Sequence, residues 1–288
     1  YIITPEGKHW LIYGSWHSGF AAVELDASTG KTKVELPKPF GTAEEIAPYG
    51  KLIFTRTLNN RWQGAEAPEI AYHDGYYYLF VAYDALDVPY NTRVLRSKNV
   101  DGPYETMNGT VKDAANGANE NPTVLTHPYK FSAGSGWVGI SHCAVFDDGN
   151  GNWYYVSQQR MPANVASINA SNAIMMGGVR SIKWMSNGWP TVMPERYGAV
   201  PQVAITESEL VGEWENIDLA YQYGIQKAST NVTLSSEHKA SGAWNNVTWS
   251  FDASTNTLKI GTIDLKVQRE VDWEASPRKV TIVYSGVS

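Results

Sequence analysis

Three stretches of this sequence share one design: a polar turn runs straight into a short, strand-like segment crowded with aromatic side chains. They are Lys8-His-Trp-Leu-Ile-Tyr13, Gly75-Tyr-Tyr-Tyr-Leu-Phe80 and Asn152-Trp-Tyr-Tyr-Val156. Similar apolar or alternating runs lie at His9–Tyr13, Ala21–Leu25, Lys51–Thr55, Tyr76–Tyr83, Thr92–Ser97, Cys143–Phe146, Trp153–Ser157 and Ser181–Met185. Turn residues separate them, as in Asp26-Ala-Ser-Thr-Gly30, His73-Asp74-Gly75 and Asp147-Asp-Gly-Asn-Gly-Asn152. No segment carries the 3.6-residue period of an amphipathic helix of normal length. Many short strands predict an all-β fold: a sandwich, barrel or propeller. The aromatic unit recurs about every 70 residues, which favours four-stranded propeller blades joined by long loops. A propeller closes with about four to eight blades. Three units in the first 197 residues therefore predict further blades ahead of Tyr1, where the chain opens on the strand-like Tyr1-Ile2-Ile3.

Composition shifts after Pro194-Glu-Arg-Tyr197 towards Thr, Ser, Val and Lys, as in Thr230-Asn-Val-Thr-Leu234 and Val280-Thr-Ile-Val-Tyr284. The expected division is residues 1–197, holding about three blades, and 198–288, a small antiparallel β-barrel or sandwich. A net charge of −6 without any basic run argues against a nucleic-acid partner. No run is long and apolar enough for a membrane helix, and no signal peptide is visible. The single cysteine, Cys143, excludes an intrachain disulfide or a cysteine-based zinc site. Seventeen Tyr and eleven Trp supply flat, polar-edged faces of the kind that stack on sugar rings, besides filling a β core.

Gly64-Ala-Glu66-Ala-Pro68-Glu69-Ile70 places carboxylates just before the aromatic run Tyr76–Phe80. A carboxylic acid held at the mouth of a β-scaffold can be desolvated and used as a general acid. It can equally cap or ion-pair a strand end.

Several motifs in order resemble the glycoside hydrolase family 43 arabinanases, the endo-acting type with an accessory C-terminal domain. They are Tyr13-Gly-Ser-Trp-His-Ser-Gly19, Glu66-Ala-Pro-Glu69 with Tyr76–Phe80, Arg93–Ser97 before Gly102-Pro-Tyr104, Gly139-Ile-Ser-His142, and Gly188-Trp-Pro190 with Pro194-Glu-Arg-Tyr197. The resemblance implies a five-bladed β-propeller and inverting hydrolysis of α-1,5-linked arabinofuranosyl bonds in arabinan. The family uses an Asp base, an Asp that tunes the acid, and a Glu acid. Inversion sets acid and base roughly 6.5–9.5 Å apart, leaving room for the attacking water. Glu66 matches the acid. Glu69 is its rival, otherwise the partner of a nearby Arg. Neither family Asp has a match, since Asp26 and Asp84 follow other motifs, so an N-terminal fragment of the same protein is expected to complete the site.

By the same resemblance, His142 lies near an axial cation, calcium or sodium, held directly or through water. Calcium prefers six to eight oxygen ligands, so His142 also suits a role in orienting water beside the acid, or in the core. Ser15 would hydrogen-bond the sugar, and Trp16 would stack on it or pack between blades. Tyr72, Asn91, Gln158 and Arg160 are further groove candidates; the planar fork of Arg160 also suits a buried carboxylate. His9 and His17 are expected to face loops or neighbouring strands, and Cys143 to be a small core residue. Rival readings are an exo-acting arabinanase, arabinofuranosidase or β-xylosidase of the family, a carbohydrate-binding propeller without catalysis, and a scaffold for protein partners. Arabinan is a plant-wall polymer, which implies a secreted, periplasmic or cell-surface location.

Overall fold

Strand propensity is realised almost throughout. The structure, a computed structural model, describes residues 1–34, 50–56, 64–112, 122–163, 165 and 175–287. The first sheet is antiparallel and follows chain order: Ile2–Ile3 (β1), His9–Ser15 (β2), His17–Leu25 (β3) and Lys51–Phe54 (β4). The second runs Ala65–His73 (β5), Tyr76–Tyr83 (β6), Asn91–Ser97 (β7), Tyr104–Glu105 (β8) and Val111–Lys112 (β9), with Thr123–Thr126 (β10) against β7. After Tyr129–Lys130 (β11) comes a third sheet of Val138–Asp147 (β12), Trp153–Arg160 (β13), Met176–Trp184 (β14) and Pro190–Val192 (β15). Each of these three sheets has the up-and-down strand order expected of a propeller blade.

Local chemistry explains the pairings. Asp74 and Gly75 both have positive φ, 46° and 78°, as the two central residues of a type I′ hairpin turn require. That turn sets His73 opposite Tyr76 and fixes the β5–β6 register. β6 lies between β5 and β7 and is buried from Tyr77 to Tyr83. Both its faces are covered, which is why its sequence reads as a continuous apolar run rather than an alternation. Phe20 and Phe54, both fully buried, stack at 5.0 Å in the same core. Each such ring contributes roughly 1.5–3 kcal/mol by leaving water.

The chain divides into two compact units. One comprises Tyr1–Ala85, Asn91–Val124 and Ser141–Val145; the other comprises Leu86–Tyr90, Leu125–Ile140 and Phe146–Ser288.

The C-terminal part of the second unit opens with a single helical turn, Glu207–Leu210 (α1). Its strands are Gly212–Asn216 (β16), Lys227–Ala228 (β17), Thr230–Leu234 (β18), Lys239–Gly242 (β19), Val247–Asp252 (β20), Thr257–Ile260 (β21), Ile263–Asp272 (β22) and Lys279–Ser285 (β23). β17 pairs in parallel with β11, and the other seven form one antiparallel sheet in chain order. Period-two pairs (Val232 and Leu234, Leu258 and Ile260, Leu265 and Val267) point into its core around Trp249. The sheet curls until its first and last strands meet: Trp214 packs on Tyr284 at 5.4 Å, and the Tyr284 hydroxyl donates to Asn216 Oδ1 at 3.0 Å. This is the expected barrel-like β domain.

Next to this sheet, carboxylate oxygens of Glu195, Asp272 and Glu274 lie within 4.8 Å of one another. Burial first, then a hydrogen bond shared with Glu274, pushes the Glu195 carboxyl up to about 9 against the pull of Arg180. Folded Glu195 therefore holds a proton that the unfolded chain releases near its ordinary value of 4.5. Between these values the native state binds more protons, so stability falls as pH rises, by at most about 1.4 kcal/mol per unit. We expect urea melts of the protein to weaken from pH 5 to pH 9 and Glu195→Gln to flatten that trend. An unchanged slope in the variant would remove Glu195 as its source.

Candidate active site

Glu66 does not precede a strand, as its spacing suggested, but lies inside one. In β5 it sits opposite Ala82; the register then slips, and pairing resumes at Glu69 opposite Phe80. Pro68, which has no N–H to offer a ladder, falls within this bulge, where Pro is tolerated. Ala67 takes φ 53°. The bulge re-aims the chain so that Glu66 and Glu69 diverge in role. Glu69 Oε1 accepts the Val145 N–H at 3.1 Å, and burial raises its pKa. The Arg partner expected for Glu69 is thus replaced by a backbone amide.

Glu66 stays partly open, its side chain 17% exposed. Ser15 Oγ donates to Glu66 Oε2 at 3.4 Å. His142 Nδ1 stands 3.8 Å from Oε1, too far for a hydrogen bond. His142 is itself 58% exposed, so the core reading of this residue does not hold. The sequence thus brings together three of its candidates, from β2, β5 and β12.

The backbone ahead of Glu66 is held from three directions. The Gly64 carbonyl accepts from Arg56 Nη1 at 2.6 Å and from the Asp84 N–H at 2.8 Å. The Ala65 carbonyl accepts the Trp16 N–H at 2.9 Å. Gly64 has φ +58°, and a Cβ there would stand 3.0 Å from Arg56 Nη1, so glycine is favoured on both counts. Behind it lies a buried polar network. Asp84 Oδ1 pairs with Arg56 at 2.7 Å, and Asp84 Oδ2 accepts from Asn91 Nδ2 at 3.0 Å. Asn91 Oδ1 in turn accepts from Arg93 Nε at 2.6 Å. Both guanidiniums lie over the Tyr83 ring, at 4.5 Å for Arg56 and 5.1 Å for Arg93.

This network corrects one expectation. Asn91 is fully buried with both ends of its amide engaged, so it supports the site and does not line a groove. Tyr72 packs on Tyr77 near the far end of β5, about 20 Å from Glu66 at the rise of a strand. Arg160 belongs to the second unit and is 2% exposed; its charge is disfavoured by burial and supported by Asp87. It therefore serves as a buried charge and not as an open groove residue. Gln158 is likewise in the second unit. His9 bonds the Tyr1 hydroxyl at 2.6 Å. Cys143 is buried, which pushes its thiol pKa up and makes it inert. Neither Asp26 nor Asp84 is free to activate water: Asp26 is held low, at about 2, by Ser28 and Thr29 in its turn, and Asp84 is already paired at both oxygens.

Four of the ten described non-glycine residues with positive φ surround Glu66: Trp16 (38°), Ala67 (53°), Asp84 (73°) and His142 (54°). Residues in sparsely populated backbone regions cluster at active sites and ligand clamps, which singles this region out as the candidate site. Ala67→Gly should relieve backbone strain and stabilise the protein by about 0.5–1 kcal/mol, net of the entropy glycine adds to the unfolded chain. Chemical denaturation tests this, and a loss of stability would mean that Ala67 is not strained.

A cation at His142 would need several oxygen donors. Among the described residues, His142 belongs to no group of three or more acidic, His or Cys ligand atoms; the one such group is that of Glu195. The side chains described do not by themselves form a cation site there, so no chemical step is assigned to one.

The sheets thus present a partly exposed carboxylic acid beside a serine and a histidine, on a backbone pinned from behind, an arrangement able to offer a proton to a bound ligand. Residues 1–190 match Glycosyl hydrolases family 43, and residues 194–288 match a C-terminal lipocalin-like domain. The chain belongs to glycosyl hydrolase family 43. It is 26% identical over 261 residues to extracellular endo-α-(1→5)-L-arabinanase 2 of Bacillus subtilis (strain 168), covering 84% of this chain and 51% of that protein. It is 27% identical over 307 residues to the extracellular endo-α-(1→5)-L-arabinanase of Thermotoga petrophila, covering 98% and 60%. The crystal structure of the family 43 YxiA protein from Bacillus licheniformis shares the fold with a TM-score of 0.80 at 24% identity, over 99% of this chain and 66% of that one. The chain thus spans between half and two thirds of the length of these relatives.

Proposed function

We propose that the protein hydrolyses the α-1,5-linked arabinofuranosyl bonds of arabinan, acting within the polymer, with Glu66 as general acid. The observation that carries this reading is the Glu66 carboxyl, partly exposed on a bulge between Ser15 and His142. Family membership and the arabinanase names of the two curated relatives support it. Glu66, protonated, donates to the leaving glycosidic oxygen as the bond to the anomeric carbon breaks. Water attacks the opposite face and loses its proton to a carboxylate base, a role that neither Asp26 nor Asp84 fills; in an inverting enzyme that base stands roughly 6.5–9.5 Å from the acid. Ser15 orients Glu66 Oε2 and leaves Oε1 facing His142. Trp16, half-buried beside Gly64, offers a wall for a sugar ring. An axial calcium or sodium near His142 belongs to this reading only if water supplies most of its ligands. Both curated relatives are named as extracellular, and we extend that location to this protein.

The test is reducing-sugar release from linear arabinan by the protein, with proton NMR of the first-released anomer. Mixed oligosaccharides bearing the inverted configuration are expected. Arabinose alone would favour exo action, retention would exclude the inverting mechanism, and binding without turnover would reduce the protein to a carbohydrate-binding propeller.

A further inference from the structure

Within the second unit, β14 and the C-terminal sheet line a cavity of about 230 Å³. Lys183, Trp184, Gln202, Asn256, Lys266 and Gln268 contribute to its walls. Two ammonium groups in one cleft repel each other unless an anion joins them. Lys183 is largely desolvated, which lowers its pKa, and Lys266 lowers it further. Among the described residues Lys183 makes no ion pair. Glu270 is the nearby acid that supports its charge, but that carboxylate is engaged elsewhere. It accepts from the N–H of Gly198 at 2.7 Å, the N–H of Val271 at 2.9 Å and Gln268 Nε2 at 3.3 Å. Lys266 Nζ donates to the Thr255 carbonyl and to Thr257 Oγ1, each at 3.0 Å, which leaves its third N–H for a ligand.

The ligand is bounded by size and chemistry. Pockets that take drug-sized ligands enclose roughly 300–1,000 Å³, so this smaller cleft suits one monosaccharide-sized ring. The two lysines select a negative group, and the indole of Trp184, which meets Trp153 edge-to-face at 5.3 Å, lines the wall with an aromatic surface of the kind that packs on sugar C–H groups. We infer that this cleft binds a uronic acid residue of an acidic polysaccharide, with the sugar carboxylate between Lys183 and Lys266 and its ring against Trp184. The site would let a protein that cuts neutral chains also hold an acidic one. It does not depend on the assignment of Glu66.

Isothermal titration of the full chain with digalacturonate, arabinobiose and inorganic phosphate tests the inference. Saturable binding of digalacturonate, weakening as ionic strength rises, is expected. Lys183→Gln and Lys266→Gln should each lower that affinity about tenfold or more, because each removes a charge-assisted hydrogen bond. Circular dichroism melts check that the variants fold. A readout free of variants is the indole N–H resonance of Trp184, which should shift with digalacturonate and not with arabinobiose. Hydrolysis of linear arabinan, a neutral polymer, should be the same in both variants as in the parent, so failure of this site and failure of the arabinanase reading show up separately. Digalacturonate binding that is absent, unchanged in both variants, or matched by phosphate alone would overturn the uronate site.

Discussion

Glu66→Gln should lower the rate of linear arabinan hydrolysis about 10²–10⁴-fold, the usual loss when a general acid is removed. The amide is isosteric and can still accept from Ser15 Oγ, so the fold should be unaffected within about 0.5 kcal/mol. What disappears is the proton offered to the departing oxygen. The loss must therefore depend on how much that oxygen needs a proton. An aryl arabinofuranoside with an acidic phenol leaves unaided, and with it the variant should retain most of the parental rate. Steady-state kinetics on both substrates make the comparison. Equal losses on the two would indicate damage to binding or geometry, and Glu66 would lose its role as acid.

Asp84→Ala should destabilise the protein by roughly 3–5 kcal/mol, the cost of removing one partner from a buried ion pair. Asp84 is 6% exposed, and its partner Arg56 only 20%. Without the carboxylate, Arg56 and Asn91 lose their shared acceptor in a region with little access to water. Asp84→Asn keeps an acceptor but not the charge, and should fall between parent and alanine variant. Urea denaturation measures all three. Because Arg56 and the Asp84 N–H both hold the Gly64 carbonyl two residues before Glu66, we also expect kcat to fall more than KM rises in the asparagine variant. The exposed pair Lys33–Glu24 is the control: breaking it should cost at most about 1 kcal/mol. A similar small cost at Asp84 would show that the network is not what fixes the strand end.

Much of the fold was legible because its signals are local. Asp74-Gly75 predicts a hairpin from two residues, and the aromatic runs mark strands from their own composition. β5 was harder to see. Its start, Ala65-Glu66-Ala67-Pro68, carries an acid, small residues and a proline, all poor strand formers, and it is held in the sheet by the Tyr83 and Ala82 partners and by the Gly64 anchor. Trp16 likewise gave no turn signal, yet it closes β2 onto β3 with φ 38°. At the candidate site, Glu66, Ser15 and His142 are singled out by the family resemblance, whose motifs are short and contiguous, and the structure sets the three side chains together. The Arg56–Asp84–Asn91–Arg93 network could not be found in this way, because its logic runs across a register: Asn91 lies opposite Tyr83, beside Asp84. Nothing in linear spacing separates an asparagine that greets a sugar from one that holds an aspartate.

The family boundary between residues 190 and 194 falls where the polypeptide is tightly cross-linked without covalent bonds. Thr191 Oγ1 meets Ser285 Oγ at 2.6 Å, the Trp273 indole donates to the Arg196 carbonyl at 2.8 Å, and Arg196 is clamped between Trp137 at 5.2 Å and Trp273 at 4.6 Å. The seam of ancestry is therefore not a seam of mechanics. The lipocalin-like sheet acts as a keystone for the blade it follows, and pulling or heating should release the two together. Evolution could exchange this appendage between proteins only by remaking the joint as well.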